Sequence, residues 1–115
     1  MFAQPWIEPT SATLPSRRST GPRRLRKTVL VLEGELDIGD AVELGRRLQW
    51  SVQSSAVVEV DLRQVTFVDC GILGVFVAAQ NFADDLGVAV IVRSPQPPVR
   101  KMLEITGLSA RFQIE

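Results

Sequence analysis

The chain has 115 residues, 45% of them hydrophobic, a formal net charge of zero, one cysteine, and neither histidine nor tyrosine. That length fits one domain with a real core. A lone cysteine excludes an internal disulfide. The missing histidine excludes Ser-His-Asp and Cys-His catalysis and deprives a structural zinc site of its ligands, so the inventory points away from an enzyme and calls for no cofactor or metal.

No apolar run approaches the roughly 18 residues that cross a bilayer, and the N-terminus shows no apolar stretch of signal-peptide length. The expectation is cytoplasmic residence without membrane insertion. The zero net charge hides a division. Residues 1–27 hold six bases against one acid (Glu8), a net +5, and the remainder is −5 with seven bases and twelve acids. They also hold Pro5, Pro9, Pro15 and Pro22 and a Ser/Thr-rich stretch. Such composition buries too little apolar surface to offset the entropy of ordering, which predicts a mobile basic tail over 1–27 in which Trp6 and Ile7 dock locally. The tail reads as a solvated extension, and nucleic-acid binding is not expected.

From 28 to 115 the pattern is α/β. Val29 to Glu33 is a β-branched run ending at Gly34, the signature of a buried strand. Asp37 or Asp40 caps the next helix, in which Ala41, Leu44, Leu48 and Val52 recur at helical spacing and Arg46 and Arg47 lie on another face. Val57 to Leu62 reads as a second strand and Thr66 to Val68 as a short third. Gly71 to Leu86 is a helix apolar nearly all round, with Gly87 at its C-cap and a strand over Val88 to Val92. Pro95, Pro97 and Pro98 precede a helix from about Val99 to Thr106, Gly107 ends it, and Phe112 to Ile114 is a final strand. Alternating strands and helices predict one α/β layer with a mostly parallel mixed sheet.

The stretch Val68-Asp69-Cys70-Gly71-Ile72-Leu73-Gly74 carries the functional signal. A strand delivers an acid directly to a helix start, where unpaired N–H groups and the helix dipole favour an anion. Asp69 is suited to cap that helix. The segment resembles the strand-to-helix signature of the STAS family, the fold of bacterial anti-sigma-factor antagonists, which usually reads hydrophobic-Asp-Ser-Ser/Thr-Gly-Leu-Gly. Asp69, Leu73 and Gly74 match; Cys70 takes the place of the phosphoacceptor, Gly71 that of the second hydroxyl residue and Ile72 that of the glycine. Val31-Leu32-Glu33-Gly34-Glu35-Leu36-Asp37, Val60 to Phe67, and Val99 to Leu108 with its Thr-Gly-Leu ending are similar to three more family segments, in the family's order.

The resemblance implies a STAS-like single domain that acts as a non-enzymatic regulator. Its partner would be an anti-sigma factor of the serine-kinase type, from which it releases sigma factor. The switch and docking residues would be Asp37, Asp69, Cys70, Gly71, Ile72, Leu73 and Gly74, with Asp37 converging on the switch loop and no serine to phosphorylate at position 70. Thr66, expected to point into the sheet, and Ser94, expected at the same sheet end, are read as structural. Two alternatives stand beside this one: a redox-responsive thiol regulator through Cys70, and an accessory STAS subunit of a membrane transport complex. By the same resemblance a strand should precede Val29 and a helix should follow Ile114. The polar tail offers no clear equivalent of the first and the sequence stops before the second. A second copy of the chain is one cover for any surface this leaves open.

Overall fold

A computed structural model describes residues 6–7 and 26–115. Strand β1 (Trp6–Ile7) is followed by β2 (Lys27–Leu36), a single 3-10 turn (Ile38–Asp40), α1 (Ala41–Ser54), β3 (Val57–Val68), α2 (Cys70–Leu86), β4 (Ala89–Arg93), α3 (Pro97–Ile105), a second 3-10 turn (Leu108–Ala110) and β5 (Gln113–Ile114). The strands form one sheet in the order β1-β2-β3-β4-β5. β2 to β5 run parallel, and β1 is antiparallel to β2, with Trp6 opposite Leu32. Trp6–Ile7 thus takes the place of the leading strand for which the polar sequence around it offers no clear signal. The remainder of the basic tail reading lies outside the described residues.

The sheet is sided. Leu30, Leu32 and Leu36 of β2, Val58, Val60, Leu62, Val65 and Val68 of β3, and Val90 and Val92 of β4 are buried on one face. They join Leu44, Leu48 and Val52 of α1, Ile72, Leu73 and Phe76 of α2, and Val99 and Leu103 of α3 in one continuous core. Each such side chain removed from water contributes about 1.5–3 kcal/mol. The other face is half covered. There Glu59, itself buried, meets Lys27 Nζ at 2.8 Å and Arg93 Nε at 3.2 Å, and Arg93 Nη1 reaches Glu115 Oε1 at 2.9 Å. Alternation along the strands is the cause: consecutive side chains leave opposite faces of the pleat.

One segment differs from the expectation. β3 does not break into two strands at Arg63-Gln64 but continues for 12 residues to Val68. Register shifts opposite Val31/Glu33 and Gly34/Glu35 absorb the irregularity, and Gly34 adopts φ +82°, a backbone that favours glycine. The local turn seen in the sequence is real but small: Asp61 Oδ1 accepts from Arg63 N at 2.9 Å, and Gln96 Nε2 donates to Arg63 O at 2.7 Å. The long β3 carries its C-terminal end, still paired with β2, well past the end of β4, and that overhang presents the site.

Candidate functional site

The overhanging ends of β2 and β3 meet above the core. After Leu36, Asp37 caps the 3-10 turn: its Oδ1 accepts from Gly39 N at 2.9 Å, and its own N–H donates to Asp40 Oδ2 at 3.0 Å. Asp37 is therefore the capping residue of this turn, while Asp40, at the start of α1, makes no side-chain cap of its own helix. After Val68, Asp69 caps α2, its Oδ1 accepting from Ile72 N at 3.0 Å. Its Oδ2 accepts from Ile38 N at 2.9 Å, and its backbone N–H donates to Leu36 O at 3.3 Å. One carboxylate thus satisfies a donor in the Ile38 turn, 31 residues away, and another in the first turn of α2, and fixes the two as one surface. Sequence spacing reveals the cap but not this cross-loop bond.

Gly71 belongs to the same junction. A Cβ on residue 71 would collide with Ile38 Cδ1 and lie 3.3 Å from Asp69 Oδ1. The absence of a side chain there lets the Ile38 turn close over the start of α2. Cys70, the first residue of α2, is exposed and free. Ile72 and Leu73, grouped by the motif with the docking residues, are core residues at 0% and 3% exposure. Helical periodicity from Cys70 turns them inward, so they anchor α2 beneath the surface. Gly74 is exposed on the outer side.

Of the other hydroxyls, Thr66 is exposed, not directed into the sheet, because this part of β3 lies beyond the span paired with β4. Ser94 lies far from Cys70. β4 ends opposite Asp61, so the eight residues from there to Asp69 add roughly 26 Å at strand rise. Three exposed apolar residues were not singled out by the sequence reading: Ile38 (68% exposed), Val42 (76%) and Phe67 (47%). Ile38 could have been noticed, since an isoleucine between Asp37 and Gly39 is out of place in a polar turn. Its environment is acidic, with Glu35, Asp37, Asp40 and Asp69 close in sequence or bonded to the turn. Among the described residues no group of three or more potential metal ligands converges, and both Asp69 oxygens already accept from backbone N–H groups.

A parallel sheet whose second and third strands overhang to bring a capped turn against a helix start defines a STAS-type α/β domain. A family model described as "Mlab, STAS domain" matches residues 21–114, and the chain belongs to that family. Among solved structures, the anti-sigma factor antagonist SpoIIAA of Bacillus in its unphosphorylated form shares 18% identity. It covers 84% of each chain at TM-score 0.69. An anti-sigma factor antagonist from Mycobacterium paratuberculosis shares 26%, over 76% of this chain and 75% of its own, at TM-score 0.64. A sulfate transporter family protein from Wolinella succinogenes shares 16%, over 87% and 84%, at TM-score 0.70. The first and third are likenesses of fold alone. Comparison with curated protein sequences gives no match. Among the described residues no helix is long and apolar enough to cross a membrane.

Proposed function

We propose that the chain is a non-enzymatic regulatory binding domain of the anti-sigma-factor-antagonist type, cytoplasmic, which docks a kinase-type anti-sigma factor and thereby frees sigma factor. The observation that carries this reading is the single surface made where Asp69 ties the Ile38 turn to the start of α2, with Ile38 and Cys70 exposed upon it. The surface is preformed, so docking pays little ordering entropy, and an apolar centre with an acidic rim suits a partner carrying an apolar contact flanked by bases. The 26% identity to a mycobacterial antagonist supports the same class.

Cys70 stands where the family signature has its phosphoacceptor, so the surface is not switched by serine phosphorylation at that position. In this reading Asp37 and Asp69 shape the docking surface and do not orient a phosphate, and residues 28–115 form the binding domain with 1–27 as an appendage. A second reading is an accessory subunit of a membrane transport complex, a setting in which the same fold occurs in a sulfate transporter family protein.

The test is affinity capture by the tagged full chain from host lysate under reducing conditions, with Ile38→Asp as control and partners identified by mass spectrometry. Enrichment of an ATP-binding anti-sigma factor by the wild type and its loss with the variant support the first reading. Enrichment of transporter subunits overturns it in favour of the second.

A further inference from the structure

Helices α1 and α2 approach closely at Gly45, where a Cβ would lie 3.7 Å from Val75 Cγ1. Outward from this contact runs an open, mainly apolar groove of about 580 Å³. Val42, Gly45 and Gln49 line it from α1, and Val75, Ala78 and Phe82 from α2. It begins at Val42, the most exposed large apolar side chain among the described residues. The adjoining ridge of α1 is ordered in charge. Asp40 and Glu43 lie on the N-terminal side of Gly45, and Arg46 and Arg47 follow it. Arg46 is 72% exposed and meets Glu43 at 3.4 Å, a loose surface pair. A ridge that is acidic first and basic second complements itself when two copies run antiparallel, and repels itself when they run parallel.

We propose that this face is a contact between two copies of the chain. Helix α1 of one copy lies antiparallel across the α1–α2 groove of the other and crosses it near Gly45. Val42 of each copy enters the groove of the other, and Glu43 of each meets Arg46 of the other. A two-fold contact requires that if residue i touches j, then j touches i, and the placement of 43 and 46 on either side of the crossing meets that rule. The small residues Ala41, Gly45 and Ala78 allow the backbones to approach. The groove is short of the roughly 800 Å² per partner of a standard interface, so the dimer is weak and depends on concentration. This contact is separate from the anti-sigma-factor reading and does not rest on it. Because Val42 follows Ile38 by one helical turn, dimerisation and partner docking compete for neighbouring surface.

Sedimentation velocity of the full chain from about 5 µM to about 500 µM tests the proposal over the range of a weak dimer. The wild type should move from monomer toward dimer across that range, and Val42→Asp should remain monomeric. Glu43→Arg and Arg46→Glu should each weaken association by about tenfold, since two-fold symmetry counts every pair twice. The double variant should recover wild-type association, and because it also re-forms the 43–46 pair within each chain, an equimolar mixture of Glu43→Arg and Arg46→Glu chains should associate too, which restored intrachain pairing would not produce. Arg46 is 72% exposed, whereas the Glu43 side chain is 39% exposed and also meets Arg47 Nε at 3.4 Å, so thermal unfolding of each variant separates loss of the contact from loss of the fold. A wild type that stays monomeric throughout overturns the proposal, as does a charge swap that fails to restore association.

Discussion

Replacing Asp69 by alanine removes an acceptor from two backbone donors at once, Ile72 N at 3.0 Å and Ile38 N at 2.9 Å. Loss of an N-cap costs about 1 kcal/mol, within a range of 0.5–2. A hydrogen bond to a charged acceptor contributes about 1.5–3 kcal/mol, and partial exposure puts the Ile38 bond at the lower end. The sum is about 2–3 kcal/mol, a large share of the 5–15 kcal/mol that holds a domain together. For a domain of this size that corresponds to a fall in Tm of roughly 10–20 °C. Asp69→Asn keeps one carbonyl acceptor and should lose about half as much. Urea unfolding of the three proteins supplies the magnitudes, and amide exchange shows where they arise: in Asp69→Ala the Ile38 and Ile72 amides should lose protection together. A stability loss below about 0.5 kcal/mol would refute the bridging role, since even a single cap is worth that much. So would fast exchange at Ile72 with Ile38 unaffected.

Further consequences concern the same surface and its support. Gly71→Ala should cost little stability, because the colliding atom is the free end of the exposed Ile38 side chain. It should nevertheless reduce partner capture by displacing that side chain, and Ile38→Ala in the same chain should relieve the displacement without restoring capture, read by chemical denaturation and pull-down in parallel. Cys70 is exposed and free, so a bulky maleimide should label it in the folded protein and block capture, while bound partner should protect it from labelling. Asp84 is held below its ordinary carboxyl range by the hydrogen bond from Gln80 and then by Arg111, whose Nη2 lies 2.8 Å away. A carboxyl depressed in the folded state stabilises above its unfolded pKa and loses that contribution as pH falls through the folded value. Asp84→Asn should therefore be less stable than wild type at neutral pH and equal to it in strong acid, as pH-dependent denaturation will show. In the core, Leu48→Ala at a fully buried position should cost about 2–5 kcal/mol without altering the amide-exchange pattern at the Asp69 junction.

The order of strands and helices was legible because each element carries its own period. Leu44, Leu48 and Val52 mark α1, the Val29 run marks β2, and Gly87 marks the end of α2. The junction was legible as a motif in one segment, since an acid before a helix start is a local signal. What sequence could not show is what depends on two segments at once. The Asp69–Ile38 bond spans 31 residues, and the need for glycine at 71 comes from a side chain on another loop. The unbroken β3 was hidden for a related reason: Arg63 and Gln64 look like a turn, and only pairing with β2 through two register shifts keeps the strand running. Trp6–Ile7 was hidden by its polar, proline-rich surroundings, because an edge strand of two residues owes its existence to the partner strand and not to its own propensity.

The most direct test of the account is hydrogen exchange of the full chain, alone and in complex with the ATP-binding partner that capture yields. The account predicts that partner-dependent protection falls on residues 36–40 and 69–75, the two loops joined by Asp69. Protection confined to the half-covered sheet face around Glu59 and Arg93, with those loops unchanged, would contradict it.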